Sequence, residues 1–129
     1  MKQDQEKRLK NFGEYLFKMR MDKGLSLTEL GKLVGISANY AGELERGKKD
    51  NPSDEILRNL AAVYEVPEET LFALLDRVPL GIKEEFEMSP ELQALLNEIS
   101  LNKKLPEDKK KVLYKQILTY YESLLTDEN

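Results

Sequence analysis

Between Leu25 and Gly47 the chain carries start and stop signals for two short helices with almost nothing separating them, and this arrangement limits the possible folds more than any other feature. Ser26 is placed to cap the first helix. Glu29, three residues on, completes a capping box in which each residue satisfies a backbone donor of the other. Gly35 ends that helix, because so short a bend needs a left-handed backbone, which glycine adopts without a Cβ penalty. Ile36 plugs the angle between the helices, Ser37 caps the second, and Gly47 stops it. Gly31, one turn before Gly35, lets the pair cross closely. In the second helix Tyr40, Ala41 and Leu44 alternate at helical spacing with Asn39, Glu43 and Arg46, so an apolar side can hold a polar side away from the body.

The flanking segments read as helices that would complete a bundle. Leu9, Phe12, Leu16 and Met19, flanked by Tyr15 and Phe17, make an apolar face that ends at Gly24. After the turn-rich loop from Gly47 to Pro52, Ser53 caps a fourth helix with Ile56, Leu57, Leu60, Ala61 and Val63 facing inward. Val66-Pro67-Glu68-Glu69 opens a fifth, with Leu71, Phe72, Leu74 and Leu75 closing the bundle. The expected architecture is all-α: a five-helix domain over residues 1–77, a connector over 78–88 containing Pro79 and Gly81, and a helical hairpin over 89–129.

That hairpin predicts an interface. Its first helix, capped by Ser89 and opened by Pro90, presents Leu92, Leu95, Leu96 and Ile99. Its second, opened by Pro106, carries two adjacent stripes, Leu113, Ile117, Tyr120, Leu124 and Tyr114, Leu118, Tyr121, Leu125. Two stripes are more apolar surface than one partner helix covers, so one packs on the preceding helix and the other is left exposed in a monomer. The expected role is dimerisation through these residues; the alternative is that both stripes bury against the N-terminal domain.

Composition narrows the chemistry. The chain has no cysteine and no histidine, which removes disulfides, thiolate metal sites, the commonest general base and the usual zinc ligand. No Gly-rich phosphate cradle is present and nothing gathers carboxylates, lysines or tyrosines into a site, so an enzyme is not expected, nor is a cofactor or metal. With no extended apolar run for a leader or membrane span, the expected location is the cytoplasm. The formal charge is −4, but residues 1–58 hold 12 basic and 10 acidic groups whereas residues 59–129 hold 8 and 14, so the acid lies mostly outside the paired helices.

Leu16-x-x-x-Arg20-x-x-x-Gly24-Leu25-Ser26, Leu30, Gly35-Ile36-Ser37, Glu45-Arg46-Gly47 and Asn51-Pro52-Ser53 together resemble the lambda-repressor-like helix-turn-helix domain of the Cro/cI (Xre) class of bacterial and phage regulators, over about Leu9 to Leu75. The resemblance implies a sequence-specific DNA-binding transcriptional regulator, most simply a homodimeric repressor on an inverted-repeat operator in double-stranded DNA. A protein-interaction module, such as an antitoxin or an anti-repressor that docks a regulatory protein partner, is the second reading. On the first, Ala38, Asn39, Tyr40, Gly42 and Glu43 face base edges, with Asn39 suited to pair bidentately with adenine. Thr28, Ser37, Lys48 and Lys49 would meet phosphates. The resemblance also implies a partly buried ion pair between Arg20 and Glu45, a scaffold feature. Leu27 stands where many members carry a phosphate-binding glutamine, Ala41 replaces a larger aliphatic residue, and Gly42 sits inside the reading helix.

Overall fold

The structure, a computed structural model, describes residues 2–48, 52–101 and 104–127, and every regular element among them is an α-helix. The helices are α1 (Lys2–Lys23), α2 (Leu27–Val34), α3 (Ala38–Glu45), α4 (Asp54–Tyr64), α5 (Glu68–Leu74), α6 (Leu80–Met88), α7 (Pro90–Leu101) and α8 (Glu107–Asp127). They divide into two units, residues 1–85 and 86–129.

Each helix of the first unit begins and ends where the local chemistry demands. Ser26 Oγ accepts from Glu29 N at 3.0 Å while Ser26 N donates to the Glu29 carboxylate at 3.0 Å, the reciprocal capping box. At the other end of α2, Gly35 has φ +88°, and the amides of Gly35 and Ile36 both donate to Gly31 O, at 2.7 and 2.9 Å. Ser37 caps α3 by accepting from Tyr40 N, and Ser53 caps α4 by accepting from Ile56 N.

The core of this unit is built from Leu9, Phe12 and Leu16 of α1, Leu30 and Val34 of α2, Ala41 and Leu44 of α3, Leu57, Leu60, Ala61 and Tyr64 of α4, and Leu71, Phe72 and Leu75 at α5. α3 packs against α1 and α2, and α4 against α2 and α5. Gly13 sets the closeness of α1 and α3: a Cβ built there would lie 2.4 Å from Glu45 O and 2.7 Å from Leu44 O, so only glycine permits this approach.

The stretch expected as a connector contains α6. Ile82 N and Lys83 N donate to Pro79 O, so the proline stands at the helix start, where its missing N–H costs nothing. Leu80 packs on the core, Lys83 Nζ reaches Asp54 at 2.7 Å, and Arg58 Nη2 bridges Glu84 at 2.7 Å and Glu68 at 3.0 Å.

In the second unit Ser89 Oγ accepts from Leu92 N and caps α7, and Gln93 Nε2 donates to Phe86 O. Ile99 is buried and Leu92 and Leu113 are half-buried. The expectation that one α8 stripe packs on the preceding helix is corrected: α7 and α8 make little contact, and Tyr114, Ile117, Leu118, Tyr120, Tyr121, Leu124 and Leu125 are all exposed, as are Leu95 and Leu96. Among the described residues no helix is long and apolar enough to cross a membrane.

Candidate nucleic-acid interface

α3 is short, and its position is fixed from beneath. Ala41 and Leu44 anchor it in the core, Tyr40 lies half-buried against that core, and the C-terminal Glu45 is gripped by Arg20. Arg20 donates through Nε to Glu45 Oε2 at 2.7 Å and through Nη2 to Oε1 at 2.9 Å, and its Nη1 donates to Leu25 O at 2.9 Å. The two side chains are only 9% and 6% exposed. One guanidinium thus ties the end of α1, the start of the paired helices and the end of α3 into one frame. The two hydrogen bonds that Arg20 donates to Glu45 raise the Arg20 pKa above its ordinary value, so the guanidinium stays charged. Beside it, burial and the neighbouring Glu45 carboxylate push the Tyr64 hydroxyl up to about 12, with Arg20 partly offsetting them.

On the outward side of α3, Asn39 is exposed and its Nδ2 donates to Glu43 Oε1 at 2.9 Å. An amide nitrogen carries two hydrogens, so one remains available together with the carbonyl oxygen, and those two atoms form the donor and acceptor pair that an adenine edge requires. Glu43 therefore orients Asn39. The i,i+4 spacing of the two residues is the signal in the sequence from which this pairing can be read.

The other expected contacts are placed less uniformly. Ala38 and Tyr40 are half-buried, whereas Thr28, Ser37 and Lys48 are exposed. Ser37 Oγ is already an acceptor for the α3 cap, which leaves its hydroxyl hydrogen as a donor. Gly42 is buried rather than open, because the side chain of Arg46 lies over it. Lys49 lies outside the described residues. Arg46 was not among the expected contacts, yet it is exposed and shares a face with Asn39 and Glu43 at i, i+4 and i+7.

A family model described as helix-turn-helix matches residues 16–71. Over 59 residues the chain is 36% identical to the HTH-type transcriptional regulator SinR of Bacillus subtilis, covering 46% of this chain and 53% of that protein. Over 65 residues it is 38% identical to the HTH-type transcriptional regulator DdrOP3 of Deinococcus deserti, covering 50% of this chain and 47% of that one. Among solved structures, the clp gene regulator ClgR of Corynebacterium glutamicum is 26% identical, with 73% of this chain and 94% of that chain covered at a TM-score of 0.47. The match is to a helix-turn-helix domain and is confined to residues 16–71, the segment that carries α2 and α3. The chain spans about half the length of the curated relatives it matches, each of which is named as an HTH-type transcriptional regulator.

Proposed function

We propose that the protein is a sequence-specific DNA-binding transcriptional repressor that acts as a homodimer on an inverted-repeat operator. The observation that carries the reading is the outward face of α3, where Asn39 is pre-aimed by Glu43 on a helix locked from behind by the Arg20–Glu45 pair. A side chain that must discriminate a base edge needs a fixed backbone and a fixed rotamer, and this arrangement supplies both. Lys48 and Thr28 flank the face as phosphate contacts that position without specifying.

Dimerisation is assigned to the exposed apolar residues of α7 and α8, which a single copy leaves in water. A two-fold dimer presents two α3 helices, and B-form DNA then requires half-sites about 34 Å apart or a multiple of that distance. The same exposed face supports the second reading, in which α8 docks a regulatory protein partner.

Selection of duplexes from a random-sequence pool tests the proposal. An inverted repeat with half-sites in register with the helical turn is the expected product, bound by two copies of the chain. Recovery of no motif at low salt from folded protein would overturn it. Recovery of a single half-site bound by one copy would overturn the dimer.

A further inference from the structure

Arg46 is the least expected feature of α3. It stands at the C-cap, yet its guanidinium folds back one turn: Nη1 lies 3.0 Å and Cζ 3.8 Å from where a Cβ on Gly42 would be, and Leu27 Cδ1 lies 3.5 Å from the same point. A planar cation is therefore seated on bare backbone beside a methyl group, in the seam between α3 and the first residue of α2. Among the described residues it makes no hydrogen bond or ion pair. Five N–H donors in a rigid fork are held on the outward face with no acceptor for them among the described residues.

Building on the DNA-binding reading above, we propose that Arg46, seated on Gly42, is a phosphate clamp: its fork takes the oxygens of one backbone phosphate where the strand passes the α2–α3 seam. Two features favour a phosphate over a base edge. In this docking geometry the N-terminal part of the second helix meets bases while the first helix crosses the backbone, and the guanidinium is turned toward the first helix. Its surroundings also favour it: Leu27 beside it offers only a methyl and no hydrogen-bond donor, so the guanidinium supplies the donors at this seam. Glycine at position 42 is thus explained by the space it leaves for a side chain rather than by its own contact with DNA.

The test titrates the full chain with a duplex recovered by selection and with a scrambled duplex of the same length, across a salt series. Arg46→Gln is expected to weaken both about tenfold and to reduce the slope of log affinity against log salt by about one. Arg46→Lys, which keeps the charge and loses the fork, should keep the slope and bind more weakly than wild type. Gly42→Ala places a methyl against Nη1; it should weaken the wild type several-fold and have no effect in the Arg46→Gln background. Unchanged affinity and slope in Arg46→Gln would overturn the proposal, as would a loss confined to one base pair of the selected site, which would make Arg46 a base reader. If selection recovers no motif, the repressor reading fails, while the scrambled-duplex slope still reports on Arg46.

Discussion

Arg20 and Glu45 put a buried charge on each of two helices, and each is tolerable only because of the other. Arg20→Ala or Glu45→Ala leaves an uncompensated buried ion and should cost about 3–5 kcal/mol, read from urea denaturation. Replacing both with apolar residues of similar volume should cost less than either single change. At the proposed DNA face the corresponding pair is Asn39 and Glu43. Asn39→Ala should relax preference at one base position, whereas Glu43→Gln keeps the oxygen that receives the Asn39 amide and should preserve that preference while strengthening binding to every duplex. Glu43→Ala should blur the preference, and selection from random duplexes distinguishes the three. The ion pair was legible because the family resemblance implies it, and the exposed place of Asn39 because it opens the second helix on its polar side. The role of Gly42 was not, because it depends on which way an arginine four residues later turns its side chain.

Among the elements, the paired helices were the most readable, since caps and terminal glycines act locally. Ser37→Ala should cost about 1 kcal/mol by removing the acceptor for Tyr40 N, measured as a lowered urea midpoint. Gly13 is a different case. Alanine there meets backbone oxygens that cannot move without displacing α3, so Gly13→Ala should destabilise by about 1–3 kcal/mol and also weaken DNA binding. Nothing near Gly13 in the chain signals this, because the atoms it would strike lie some thirty residues away in α3. α6 was hidden for a related reason. Pro79 and Gly81 read as a connector, whereas Leu80 packing and the Asp54–Lys83 and Arg58–Glu84 pairs stabilise a helix there that local propensity does not announce.

For the whole molecule, exposed ion pairs set the pH response. Hydrogen bonding from Arg58 lowers the Glu84 pKa below its ordinary 4.5, hydrogen bonding from Lys23 does the same for Glu65, and the Ser26 cap does so for Glu29. Their stabilisation is complete above that ordinary value and is lost as pH falls through the lower folded values. Thermal melts should therefore show Tm falling below about pH 4.5, with Glu84→Gln reducing the fall and lowering Tm at neutral pH. In the proposed dimer the α8 stripes set association. Leu118→Glu with Tyr121→Glu should give a monomer by light scattering, with α1 to α5 intact and operator affinity sharply reduced. A variant that stays dimeric would place the interface elsewhere.

The sequence by itself determined the two capped helices, their turn, the apolar faces of the bundle and the excess of apolar surface on the last helix, because capping and periodicity act over a few residues. Tertiary structure decided how closely α1 approaches α3 at Gly13, that residues 80–88 form a helix, that neither α8 stripe is covered by α7, and that Arg46 rests on Gly42. Each of these depends on atoms brought together by packing or on the rotamer of a single side chain, and neither is encoded in the spacing of residues along the chain.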